Sequence, residues 1–129
     1  MAHRYLSIVE NAYRATVEEQ DDTCLWFTHA MAKLGQAQVA VVLRGNAVNY
    51  AVKGQSATGL TFGTQKLQVP PDLPREVKDL LDAKVSVYIV SEDATDRGIN
   101  ATDLIPGVEP VARNGLAKLV DGFDRVFHW

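Results

Sequence analysis

One short run constrains the fold of this chain more than any other feature. Residues 39–43, Val-Ala-Val-Val-Leu, form an unbroken aliphatic and β-branched stretch. A strand with one solvated face alternates apolar and polar residues, so an unbroken run of strand length marks a strand buried on both faces, as in a parallel sheet covered by helices. Arg44-Gly45-Asn46 ends it. Residues 85–90 predict another buried strand, and Tyr5, Leu6, Ile8 and Val9 a first one that ends at Glu10-Asn11. Parallel neighbours need crossovers of a dozen or more residues, and the segments between these runs carry helical signals.

Cys24, Phe27, Met31 and Leu34 recur at helical spacing, with Leu25, Trp26, Ala30 and Ala32 widening the apolar zone and Gly35 placed as a stop. This predicts a helix covered on more than one side. Its start is signalled twice, by Thr16-x-x-Glu19 as a capping box and by Asp21-Asp22-Thr23. Residues 47–69, punctuated by Gly54, Gly59 and Gly63, read as a long loop or lid with irregular or short helical content, closed by Pro70-Pro71. Pro74 suits the first turn of a helix that faces the core with Val77, Leu80 and Leu81. Residues 91–98 predict one or two helical turns stopped at Gly98. After them come a short strand over residues 108–111, a helix through Leu116, Leu119 and Val120 ended by Gly122, and a last strand over residues 124–129. This alternation predicts one α/β domain over residues 1–129, a three-layer α/β/α arrangement around a mostly parallel sheet of about five strands. With 129 residues, 47% of them hydrophobic, the chain can bury roughly two-thirds of its unfolded surface without metals or disulfides.

Composition removes several function classes. Thirteen Lys and Arg against sixteen Asp and Glu leave a formal charge of −3 and no basic run, which argues against nucleic acid. No stretch is long and apolar enough to span a membrane, and the first residues lack the apolar core of a secretory signal, so a cytoplasmic location is expected. The one cysteine, Cys24, forms no intrachain bridge and no cysteine-metal cluster. No phosphate loop, dinucleotide fingerprint, nucleophile elbow or metal-spaced histidine pair is present, and neither metal nor cofactor is expected. His3, His29 and His128 read as structural or exposed.

In parallel sheets ligands gather outside the carboxyl ends of the strands. That rule selects Glu10, Arg44, Asn46, Asn49, Ser91 and Glu92 as ligand-binding candidates. Arg44 carries a fixed charge suited to a carboxylate, sulfite-like or phosphate group, or else pairs internally with Glu10 or Glu92. Asn46, Asn49 and Tyr50 offer hydrogen bonds there, or satisfy the loop itself. Glu92 and Asp93 suit acid–base work or a hard cation, but also the cap of the next helix, and Asp93 with Arg97 fits an i,i+4 pair. Cys24 is the alternative catalytic residue, a thiol nucleophile near a helix start; its apolar spacing and the acids at residues 18–22 favour a core role.

Several phrases follow one another in order along the chain, without internal repeats. They are Glu18-Glu19-Gln20-Asp21-Asp22-Thr23, Val41-Val42-Leu43-Arg44-Gly45-Asn46-Ala47-Val48-Asn49-Tyr50, Val87-Tyr88-Ile89-Val90-Ser91-Glu92-Asp93, Arg97-Gly98-Ile99, Asp103-Leu104-Ile105-Pro106-Gly107-Val108-Glu109 and Phe123-Asp124-Arg125-Val126. In this order the chain resembles the DsrE/DsrF-like sulfur-relay family, to which the TusB, TusC and TusD subunits belong. The resemblance implies a parallel α/β/α protomer, trimers or hexamers, sulfur-relay proteins as partners and, in the sulfur carriers, a persulfide-bearing cysteine just after the strand of residues 85–90. Here Val90 and Ser91 occupy that place. A serine hydroxyl forms no persulfide, so the expectation is a non-catalytic binding or scaffold subunit, with a Cys24 sulfurtransferase and a small-anion or nucleotide-binding module as alternatives. Leu60, Phe62, Phe127 and Trp129 are the apolar groups expected at subunit contacts.

Overall fold

The computed structural model describes residues 3–12, 23–55, 61–66 and 72–129. Five strands form the main sheet: β1 (His3–Val9), β2 (Ala37–Leu43), β5 (Ser86–Val90), β6 (Glu109–Val111) and β7 (Arg125–His128). Their order is β6-β5-β2-β1-β7, and all four pairings are parallel. Two-residue strands β3 (Thr61–Phe62) and β4 (Gln65–Lys66) make a separate antiparallel hairpin. The helices are α1 (Thr23–Lys33), α2 (Leu73–Asp82), α3 (Ser91–Asp96) and α4 (Leu116–Asp121). Both cap signals expected before α1 lie outside the described residues, apart from the backbone of Thr23. No described helix is long and apolar enough to cross a membrane.

The buried run of residues 39–43 does what its composition requires. Successive side chains leave a strand on opposite faces, so Val41 and Leu43 join Val9, Val87 and Ile89 beneath α1 and α2, while Ala40 and Val42 join Leu6 and Val90 beneath α4. Each fully buried Val or Leu contributes roughly 1.5–3 kcal/mol of transfer free energy, so β2 holds both layers. The polar pair on the first face is satisfied: buried Ser7 lies 3.0 Å from the Thr28 hydroxyl, which donates to the Cys24 carbonyl at 2.8 Å.

Two segments differ from the sequence expectation. In α1 the buried positions are Leu25 and Thr28, with Cys24 half-buried, while Trp26 and Phe27, and Leu34 just after the helix, are 58%, 39% and 72% exposed. Among the described residues the helix is covered mainly on the side of Leu25 and Thr28, and on its exposed flank Phe27 meets the ring of Trp129. Gly35, at φ +68°, ends it as expected. The short helical content expected in residues 47–69 is a 3-10 helix, Gly45–Ala51; what differs is its burial, with Ala47, Val48, Tyr50 and Ala51 packed against α2 and the sheet. Val52 then bridges Leu104 in antiparallel fashion. In α2, Asp72 caps by accepting from the Arg75 N–H at 3.2 Å, and Val77 and Leu80 are fully buried.

Candidate functional site at the carboxyl edge

Strand order brings the ends of β7, β1, β2, β5 and β6 side by side, and with them the residues that follow each strand. The β1–β2 ladder runs on through the Arg44 N–H, which donates to the Val9 carbonyl at 3.0 Å. Glu10 and Asn11 both donate their N–H groups to the Trp129 carbonyl, at 3.0 and 3.3 Å.

Glu10 stands between the Arg44 guanidinium and the His128 imidazole. Its carboxylate lies 3.5 Å from Arg44 Nε and 2.8 Å from His128 Nε2. Of the two internal partners open to Arg44 from sequence, Glu10 is the one it meets. Both members of the Arg44–Glu10 pair are about 40% exposed, which limits the pair to the surface ion-pair scale of at most about 1 kcal/mol.

Gly45 begins the 3-10 helix at φ +57°, a conformation that favours glycine, and its N–H donates to Asp93 Oδ2 at 2.8 Å. A Cβ at this position would stand 3.4 Å from Glu10 Cγ. Asp93, the most enclosed carboxylate of the edge at 13% exposure, also receives the Arg113 guanidinium, which reaches Asp96 at 3.7 Å. Burial works to raise the Asp93 carboxyl, yet the Gly45 N–H and the Arg113 guanidinium together hold it below the ordinary aspartate value. Glu92 accepts the Arg113 N–H at 2.9 and 3.1 Å, and this bond, with its own backbone N–H, lowers its carboxyl too. Arg97 does not pair side chain to side chain with Asp93. Its guanidinium donates to Asn46 Oδ1 at 2.9 and 3.1 Å and to the Asp93 carbonyl at 3.0 Å.

The two remaining candidates serve local structure. Asn49 Nδ2 donates to the Asn46 carbonyl at 2.9 Å, and the Ser91 carbonyl accepts from the Thr95 hydroxyl at 3.0 Å at the start of α3. Thus Glu10 and Arg44 meet directly, and Asn46 and Glu92 are tied to the same edge through Arg97 and Arg113. Asp93, weighed from sequence with Glu92 for acid–base work, is instead the structural acceptor of this edge, and Arg113 and His128 are edge residues that the sequence did not single out. The strand-end rule applied to residues 108–111 and 124–129 would have found Arg113 and His128. Cys24 lies on α1, partly buried against the α1–α2 core. Among the described residues no group of three or more His, Cys, Asp or Glu side chains is placed to hold a metal ion.

The sequence pattern of the DsrE/DsrF-like family matches residues 10–129. The chain belongs to the DsrE/DsrF-like family. Its fold is similar to that of the Escherichia coli ychN protein, with a TM-score of 0.76 at 20% identity over 100% of both chains. It is also similar to MTH1491 of Methanobacterium thermoautotrophicum, described as of unknown function, with a TM-score of 0.64 at 16% identity over 98% of this chain and 99% of that one. BT1422 of Bacteroides thetaiotaomicron, a conserved protein of unknown function, gives 0.63 at 13% identity over 97% and 94%. No curated protein matches the sequence. These likenesses bear out the three-layer α/β reading and its parallel five-stranded sheet.

Proposed function

We propose that this DsrE/DsrF-like chain is a non-catalytic binding or scaffold subunit of cytoplasmic sulfur relay that works as a homo-oligomer, a trimer or hexamer. Family membership supports a role connected with sulfur relay in general. The observation that carries the finer reading is the residue after β5. Where the resemblance implies a persulfide-bearing cysteine, Ser91 opens α3, and a hydroxyl cannot take up sulfane sulfur. Around it Glu10, Arg44, Asn46 and Glu92 are engaged with neighbouring protein groups. Such an edge is rigid and polar, suited to meeting a protein partner that brings the thiol. Glu10, Arg44, Asn46, Asn49, Ser91 and Glu92 are its proposed contact residues. Exposed Trp26, Phe27 and Leu34 on and just after α1 support assembly with further copies. Phe127 and Trp129 have a role within the protomer: their rings stack at 6.2 Å, and Trp129 meets Phe27 edge-on. Leu60 and the side chain of Phe62 lie outside the described residues.

The rival within the same chemistry is Cys24 as carrier. Incubation with a sulfane-sulfur donor followed by intact mass measurement separates the two. The scaffold reading expects no adduct, and a gain of about 32 Da, one sulfur atom, mapped to Cys24 overturns it. Native mass measurement expects a trimer or hexamer, and a monomer at micromolar concentration removes the assembly.

A further inference from the structure

A second region treats its charges differently from the carboxyl edge. Between the outer face of α2 and the bridge that joins residues 51–54 to 104–106 lies a cavity of about 500 Å³. Small-molecule sites fall in the range of roughly 300–1,000 Å³. Its walls are apolar: Pro74 and Leu81 from α2, Ile105 and Pro106 from the opposite strip. Its rim is cationic, with Lys53 on one bank and Arg75 and Lys78 on the other. Arg75 and Lys78 are three residues apart, so one helix face presents both. Asp82 is the only acid among the lining residues.

The walls are fixed before any ligand arrives. Val52 bridges Leu104, the Lys53 N–H donates to the Asp103 carbonyl at 2.9 Å, and the Ile105 N–H donates to the Ala51 carbonyl at 2.9 Å. Leu81 is backed by Gly107, where a Cβ would stand only 3.3 Å from Leu81 Cδ1. Among the described residues, none of the three rim cations is within ion-pair distance of a carboxylate, whereas Arg44 and Arg113 at the carboxyl edge each pair with one. Along the cleft's own lining three exposed cations stand against one acid, Asp82, while Asp72, Glu76 and Asp79 of the same helix region are not among the lining residues, so the apolar cleft is rimmed by positive groups matched to an anion that carries an apolar body.

We infer that this cleft beside α2 binds a small amphipathic organic anion, with its apolar body against Leu81, Ile105 and Pro106 and its acidic head among Lys53, Arg75 and Lys78. The site shares no residue with the carboxyl edge, so it stands whether or not the scaffold reading does. Octanoate is a suitable probe, with octylammonium carrying the same tail and opposite charge, and acetate the same head without the tail. Isothermal titration of the full chain is expected to show saturable octanoate binding, at least tenfold weaker binding of octylammonium, and no saturation by acetate. The Arg75→Gln/Lys78→Gln variant is expected to lose at least tenfold in octanoate affinity and Lys53→Gln severalfold, while Lys118→Gln on α4, on the other face of the sheet, leaves it unchanged. These side chains are exposed, and an unchanged unfolding midpoint confirms that the variants keep the fold. Equal binding of octanoate and octylammonium, full affinity in both groove variants, or no saturable binding overturns the inference.

Discussion

The carboxyl edge of the sheet and the cleft beside α2 both gather basic side chains, but among the described residues only the edge supplies them with carboxylate partners. At the edge Arg44 meets Glu10, Arg97 meets Asn46, and Arg113 meets Asp93 and Asp96. Those contacts join residues distant in sequence, so they pin strand ends and the start of the 3-10 helix to one another. In the cleft Lys53, Arg75 and Lys78 surround an apolar wall without such partners among the described residues. Charge at the edge therefore belongs to the architecture, and charge at the cleft is available to a ligand. The contrast predicts that substitutions at the edge are felt in stability, and substitutions at the cleft only in binding.

The largest effect is expected at Asp93. Asp93→Ala leaves the part-buried Gly45 N–H without its acceptor and Arg113 without its closest carboxylate, at a cost of about 1–3 kcal/mol in urea unfolding. A cost below a few tenths would break the comparison. Gly45→Ala comes next: a Cβ at φ +57°, pressed towards Glu10, costs about 1–2 kcal/mol by the same measurement. Arg44→Gln loses less than about 1 kcal/mol, since its pair with Glu10 is half exposed. Lys78→Gln in the cleft stays within about 0.5 kcal/mol of the parent.

Acid sharpens the same contrast. Glu92 and Asp93 have carboxyls lowered in the folded chain. The stability they contribute is therefore present above their unfolded values near pH 4 and is lost as pH falls further, through the lowered folded values. Unfolding followed from pH 7 down to pH 3 should show this loss, and Asp93→Asn should make it shallower. An unchanged acid profile in that variant would show that the edge carboxylate is not a structural partner.

How much of this was legible in sequence depended on whether a residue's neighbours were near in the chain. The unbroken run at residues 39–43 and the strand-and-stop pattern after it were enough for the sheet, because burial on both faces leaves a compositional trace. The Arg44–Glu10 pair was also within reach, since adjacent parallel strands bring their ends together. The α1 orientation was misread: Phe27 and Leu34 fit the helical period, but Leu25 and Thr28 face the sheet, where Ser7 supplies a hydroxyl partner for Thr28. Burial of the 3-10 helix left no periodic signal because α2 and the sheet impose it from outside. The cleft left none either, being built from residues 53–54, 74–82 and 105–106, which no local pattern connects.

The central claim, that among the described residues edge cations are engaged within the protein and cleft cations are not, is tested most directly by following backbone amide resonances during an octanoate titration. The account predicts saturable shifts at Gly54, Lys78 and Ile105, with Gly45, Asp93 and Arg113 unmoved. Shifts that begin at Gly45, Asp93 and Arg113 while the cleft stays silent would contradict it.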